Sequence, residues 1–419
     1  MAGRDRRVVP ARGAGCACGQ GGPHPVTAVR TNLRHLRLLL AVAETGSMSR
    51  AAARCHVTQP AVTQAITKLE RLAGQALFIR RSAGMFATPA GEALVVRLRR
   101  AFDRLDTVMA ELAPRLVMTA TTAQLDALIA STEAESFNLA ARRMGLAQPT
   151  VHRAIAQLET EAGRPLFERT ANGVMATRAA QALAMAARLA FSELEQAEVD
   201  LAELVGREVG RIVVGAMPLA RSYLLPRAIA RFRSRRPTLP VRALDGPYED
   251  MMAGLRRGEV DFLVGALRDP APIDDIEQIR LFDDTLVMVA RPDHPLAGQS
   301  GLDAAALAHF PMVAAAERTP ARRAFDRIFA SVGGPPQSLL ETGSMVLMRE
   351  LLRVSDHVGC ISRLQVAAEI ELGALCLLDL NLPETIRPIG LSQRQGWLPT
   401  RAQAEFLAEL RAVIRERSL

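Results

Sequence analysis

The chain has 419 residues, 49% of them apolar and mixed with polar residues throughout, so it can bury several cores, and two to four domains are expected. No uninterrupted apolar run of about 18 or more occurs, and the Arg- and Gly-rich start lacks the apolar core of a secretion signal, which argues against a membrane-spanning or exported protein. The net charge of +8 favours an anionic partner and is unevenly spread: residues 1–115 hold 18 bases and 7 acids, residues 116–206 hold 7 and 11, and the remainder is near neutral.

Residues 1–30 read as a disordered tail or a misassigned start, with Val26 or Val29 as alternative initiators. Five cysteines, Cys16, Cys18, Cys55, Cys360 and Cys376, form no disulfide framework and read as reduced thiols, and Cys16-x-Cys18 alone is too little for a metal site. No metal, cofactor or catalytic constellation is expected, because no His, Asp, Glu, Ser or Cys set has converging spacing.

From residue 31 the chain repeats itself at an offset of 89 residues: roughly 26 of about 59 positions from Leu36 to Leu94 are identical to their counterparts. Each copy predicts three short helices and a hairpin. In the first, Leu36, Leu39, Leu40 and Ala43 give an apolar face, and Ser47 caps a second helix from Met48 to Arg54. Thr58 is placed to cap a third helix, with Pro60 in its first turn and Gly74 ending it near Ala73. Leu77-Phe78 then leads into a hairpin turning near Gly84. Two helices joined by a short turn can place the second in the major groove of DNA. Its outer face carries Gln59, Thr63, Gln64 and Thr67, which can meet base edges, and Arg80 and Arg81 on the hairpin suit phosphates or a minor groove. An ordinary helical bundle with polar outer faces would share the periodicity but explains neither the spacing nor the charge.

These residues carry a family likeness. The run AETGSMSRAAARCHVTQPAVTQAITKLERLAGQALFIRR, closing with TPAGEAL, resembles the winged helix-turn-helix of LysR-type transcriptional regulators, as does ESFNLAARRMGLAQPTVHRAIAQLETEAGRPLFERTANGVMAT. The resemblance implies DNA contact at Gln59, Pro60, Thr63 and Arg80, and, in the second copy, at Gln148, Pro149, His152, Arg153 and Arg169. The modules are assigned to 31–88 and 121–177. The copies differ in kind: Gly145 stands where the first has His56, and Ala147 replaces Thr58, with an expected loss of about 1 kcal/mol of capping. Glu159, Glu161 and Glu168 are expected to weaken phosphate binding by the second copy. The first is therefore expected to be the main DNA reader, the second either reading further bases or acting as a spacer.

A linker helix follows each module, over 89–113 and 178–206. Leu98, Phe102, Leu105, Met109 and Leu112 step by four and three, and Leu183, Ala187, Ala190, Leu194, Ala197, Leu201 and Leu204 do the same. The family likeness implies that the second seam forms a homodimer or homotetramer, while packing onto its own domain is the alternative. Beyond residue 207 strands and helices alternate, predicting an open α/β domain with ligands at the carboxyl ends of its strands. GAMPLARSYLLP, GEVDFLVGAL, DTLVMVARPDHPLA, ETGSMVLMRELLRVSDHVGCISR and WLPTRAQAEFLAEL resemble the LysR-type effector domain, itself similar to periplasmic solute-binding proteins. The likeness implies subdomain I over 207–288 and 387–419 and subdomain II over 289–386. Arg221, Ser222, Arg318, Thr319, Thr342 and Ser344 stand at helix starts, where a small anion, favoured as a carboxylate, would be held. The expected whole is a multidomain cytoplasmic regulator that is not an enzyme, binding promoter DNA and a small effector. A solute-binding protein, or a thiol redox sensor using Cys360 and Cys376, are the alternatives.

Overall fold

The computed structural model describes residues 32–171, 173–269, 273–334, 336–380 and 385–416; the expectations about the tail, Cys16, Cys18, Val26 and Val29 lie outside them. The first module is α1 (Leu33–Thr45), α2 (Met48–Arg54), α3 (Gln59–Ala73) and the antiparallel hairpin β1 (Phe78–Arg81) and β2 (Gly84–Ala87). Ser47 Oγ accepts from the Arg50 amide at α2, and Gly74 closes α3 in a left-handed conformation. Thr58 occupies the N-cap of α3, yet its side chain makes no capping bond. The exchange to Ala147 therefore removes no cap hydrogen bond, and the penalty expected for the second copy is absent.

After α4 (Pro89–Leu112) and the single turn α5 (Leu116–Thr119), the unit recurs as α6 (Thr122–Ala134), α7 (Phe137–Met144), α8 (Gln148–Ala162), β3 (Phe167–Thr170) and β4 (Gly173–Ala176), followed by α9 (Arg178–Leu204). Each copy keeps one non-glycine residue in a left-handed backbone where its counterpart has glycine. His56 sits at φ 53° opposite Gly145 at 66°, and Glu135 at φ 50° opposite Gly46 at 62°. Side chains with a Cβ are strained there. Replacing His56 or Glu135 by glycine is expected to raise stability by about 1 kcal/mol each, read as a shift in urea midpoint. A fall in midpoint would contradict this.

The two linker helices find their partner within the chain. Leu94, Leu98, Ala101, Phe102, Leu105 and Met109 of α4 and Leu183, Ala187, Ala190, Leu194, Ala197 and Leu201 of α9 are all buried in one continuous core shared by both modules. This corrects the expectation that the α9 seam pairs with a second copy. A four-three spacing says which face is apolar, not which helix covers it, and α4 of the same chain covers this one. Of the α9 seam, Leu204, the last residue of the helix, stays half exposed.

Two five-stranded sheets follow. The first orders its strands β6 (Val241–Leu244), β5 (Ile212–Ala216), β7 (Phe262–Ala266), β14 (Arg387–Arg394), β8 (Ile276–Asp284), with β5 parallel to both neighbours and β14 antiparallel to both of its own. Phe232 and Phe406 meet edge-on over its face, from α11 (Leu224–Arg235) and α17 (Arg401–Glu416); α10 (Pro218–Ser222) and α12 (Tyr248–Arg256) complete this half. The second sheet runs β11 (Leu339–Glu341), β10 (Met312–Ala314), β12 (Val358–Ser362), β9 (Leu286–Ala290), β13 (Cys376–Leu377). It is flanked by α13 (Ala304–Ala308), α14 (Pro320–Phe329), α15 (Met345–Arg353) and α16 (Ala367–Glu371).

The chain passes between the sheets at Thr285 and returns before β14. Arg387 donates to Asp284 at 2.5 Å, Ser362 Oγ donates to the same carboxylate at 2.8 Å, and Thr385 Oγ1 accepts from the Leu286 amide. Burial raises the Asp284 carboxyl against the pull of Arg387. This α/β region sits on α9 through Arg236, which bonds Glu203 of α9 at 2.7 Å and Glu405 of α17 at 2.6 Å. Among the described residues no helix is long and apolar enough to cross a membrane.

Candidate nucleic-acid interface and effector cleft

The third helix of each module must expose one face after the other is committed to the core. Val62, Ala65, Ile66 and Leu69 of α3 point inward. Gln59, Pro60, Thr63, Gln64 and Thr67 are exposed along its outer side, and Arg80 and Arg81 are exposed on the hairpin. The same outer side bounds a broad groove with Arg34 and His35 of α1 and with Lys68 and Arg71, one turn further along α3. The three cations of that groove, Arg34, Lys68 and Arg71, escaped sequence reasoning. Lys68 and Arg71 continue the four-three stepping from Gln64, which is the signal that could have found them. Burial, then the charges of Lys68 and Arg34, hold the His35 imidazole below its usual value, so the groove is positive without it.

The second module keeps the frame and changes the chemistry. Gln148, Pro149, His152, Arg153 and Arg169 are exposed, with His152 stacked edge-on against Phe137 at 5.7 Å. Ala123, Gln157 and Thr160 replace Arg34, Lys68 and Arg71. The expected role of Glu159 as a repelling charge is overturned. Its carboxylate accepts from the Leu166 and Phe167 amides at 2.7 and 3.1 Å, as Glu70 does for Leu77 and Phe78 in the first module. Glu161 is engaged by the Thr119 hydroxyl. Glu168, where the first module has Ile79, stays exposed on the wing, so the second module both lacks the three groove cations and carries an added acid beside its DNA-facing side.

A cavity of about 290 Å³ opens between the two sheets, at the ends of β5, β7, β10 and β11. Of the residues singled out from sequence, Thr319, Thr342 and Ser344 line it, and Arg221, Ser222 and Arg318 do not. Arg221 falls in the last turn of α10 rather than at its start and pairs with Asp245. Arg318 takes a left-handed backbone, φ 63°, just before α14. The three lining hydroxyls also serve the backbone: Thr319 and Ser344 accept from Arg322 and Leu347 amides, and Thr342 from the Ser344 amide.

Two cations line this space: Arg387, already paired with Asp284, and Arg268, which follows β7 and carried no sequence signal beyond that position. Its guanidinium lies 3.6 Å from the Tyr248 ring centre, and its backbone is held by two bonds to Gln278. Arg268 Nε and Tyr248 Oη are both buried without a hydrogen-bond partner among the described residues. Burial lifts the Tyr248 phenol above its ordinary value, so it stays a donor. Such atoms carry a desolvation cost of about 1–3 kcal/mol each until a ligand satisfies them. Met217, Pro218 and Met348 supply the apolar wall.

The thiols do not form a switch. Cys360 lies on β12 and Cys376 on β13, on opposite sides of β9, about 10 Å apart by strand spacing, beyond disulfide reach. Burial pushes the Cys360 thiol up to about 12 and raises Cys376 as well, so neither offers a ready thiolate. Cys360→Ser/Cys376→Ser is expected to leave any peroxide effect on DNA binding unchanged in mobility shifts; loss of such an effect would restore the redox alternative.

Two recognition helices with wings, joined through paired linker helices to a clefted α/β domain, define a ligand-sensing DNA-binding protein. The sequence comparisons name the family. Residues 33–92 and 122–181 each match the bacterial regulatory helix-turn-helix protein, lysR family, and residues 206–415 match the LysR substrate binding domain. The chain belongs to the LysR family of transcriptional regulators. It is 36% identical over 396 residues to the HTH-type transcriptional regulator GalR of Pseudomonas putida, covering 92% of this chain and 98% of that one. CbbR of Xanthobacter flavus is 31% identical over 274 residues, 65% of this chain and 79% of the relative. A full-length OxyR variant of Pseudomonas aeruginosa superposes with a TM-score of 0.51 at 22% identity, over 69% of this chain and 97% of that one, a likeness of fold.

Proposed function

We propose that this regulator reads promoter DNA chiefly through the first module and is switched by a small carboxylate bound between the sheets. Gln59, Pro60, Thr63, Gln64 and Thr67 would meet base edges in the major groove, while Arg80, Arg81, Arg34, Lys68 and Arg71 would meet phosphates. In the cleft, Arg268 would pair with the carboxylate, with Tyr248, Thr319, Thr342 and Ser344 as further hydrogen-bonding groups. The domain likeness to periplasmic solute-binding proteins suggests the same closing motion. Ligand would favour one placement of the sheets about the Asp284–Arg387 hinge and so shift the population that engages DNA. No catalytic role is proposed, and a DNA target places the protein in the cytoplasm.

The observation that carries this reading is the stacked Arg268–Tyr248 pair lining the cleft, whose Nε and Oη are buried without a hydrogen-bond partner among the described residues. The test is a thermal-shift screen of small mono- and dicarboxylates. At least one is expected to raise the melting temperature of the intact chain, and Arg268→Met is expected to weaken that ligand by about 10- to 100-fold. If only uncharged compounds shift the intact chain, the assigned effector chemistry is wrong.

A further inference from the structure

We infer that one chain is its own pair of DNA-reading modules and occupies a bipartite duplex site whose two inverted half-sites differ in sequence. This rests on the DNA-reading role proposed above and goes beyond it in assigning the second module and the layout of the site.

The pairing of α4 with α9 has the form of a two-fold interface. The helices run antiparallel: Arg97 meets Asp200 at 2.8 Å, Arg100 meets Glu193 at 2.7 Å, and Arg104 shares one cleft with Leu189. In the repeat, Glu193 is the counterpart of Arg104 and Leu189 the counterpart of Arg100, so the two positions that pair as Arg100–Glu193 are brought to the same cleft with their roles exchanged as Arg104 and Leu189. That exchange is what an isologous contact requires. At the helix ends the correspondence is one of elements, through different residues. Gln75, just past α3, donates to the Leu201 carbonyl of α9 at 3.0 Å. Arg115, just past α4, donates to the Thr160 and Glu161 carbonyls at the end of α8, both at 2.7 Å. Each linker helix thus steadies the recognition helix of the other module, and an approximate two-fold axis relates α3 to α8. Inverted half-sites are the DNA counterpart of such an axis.

Five of the eleven acids in residues 116–206 lie on α9 rather than in the second module. The acids that make residues 116–206 negative include Glu193, Asp200 and Glu203, and these are engaged by Arg97, Arg100 and Arg236 on the linker side. Arg153 and Arg169 are exposed on the recognition helix and wing. Because Arg153 stands where the first module has Gln64, the two halves call for different bases: glutamine suits the N6/N7 edge of adenine, arginine the O6/N7 edge of guanine.

The test is selection of duplexes from a random-core DNA library by the full chain, repeated with Gln64→Ala and Arg153→Ala, both exposed positions whose variants are checked for an unchanged melting curve. The expected motif has two unlike inverted half-sites about one helical turn or a multiple apart. Gln64→Ala is expected to relax preference in one half alone, and Arg153→Ala in the other alone, each by about tenfold or more at the affected base pair. Two identical half-sites, or a motif untouched by Arg153→Ala, would overturn the inference while leaving the first module's role standing. No enrichment by the intact chain would overturn the DNA-reading role itself, and the inference with it.

Discussion

Truncating Arg97 to alanine is expected to destabilise the paired modules by about 3–5 kcal/mol. Arg97 is 1% exposed and lies within the α4–α9 seam. Its Nε donates to Asp200 at 2.8 Å, and its Nη1 donates to Glu193 at 3.0 Å and to the Leu398 carbonyl at 2.8 Å. One guanidinium therefore ties both linker helices to the α/β region. Removing it strands two largely buried carboxylates, and among the described residues only Glu193 keeps a second partner, in Arg100. Burial already raises the Asp200 carboxyl, with Arg97 opposing it.

Without Arg97 the folded-state pKa of Asp200 rises further above its unfolded value, so the folded variant binds a proton more readily than the unfolded one. Its deficit is then greatest above that raised pKa and shrinks as pH falls through it toward the ordinary carboxylate range near about 4. Urea unfolding across that range measures it. A deficit under about 1 kcal/mol, or one that grows on acidification, would contradict the role given to Arg97.

The second large effect is on DNA. Arg34→Gln/Lys68→Gln/Arg71→Gln removes three cations from the groove bordering α3 without touching its base-reading side chains. Each lost phosphate contact lowers the slope of log affinity against log salt by about 0.9, and the combined loss of affinity is on the order of a hundredfold or more. The loss should be nearly uniform across sequences, because phosphates carry none. Fluorescence anisotropy at several salt concentrations reads both. An unchanged slope would place these cations away from the DNA.

Local structure was legible because it is written locally. Ser47 as a cap, Pro60 in a first turn and Gly74 at a helix end marked α2 and α3 to the residue, and the repeat carried the same frame to the second module. Tertiary choices were not. The α9 seam announced a partner without naming it, and a second seam in the same chain proved to be that partner. Arg97 reads in sequence as one more base in a basic helix, since nothing local marks a charge for burial. Glu159 looked like a surface acid because its two amide donors lie beyond the end of α8, at the start of the wing. In the cleft, helix starts drew attention to Arg221 and Arg318, whereas Arg268 follows β7, a position without periodicity or cap to betray it.

The measurement closest to the central claim is binding of the full chain to a selected duplex and to an unrelated duplex, with and without Gln59→Ala/Thr63→Ala. The intact chain is predicted to prefer the selected duplex strongly, and the variant to keep salt-sensitive binding while losing most of that preference. An intact chain that binds neither duplex at low salt, or a variant with undiminished preference, would contradict it.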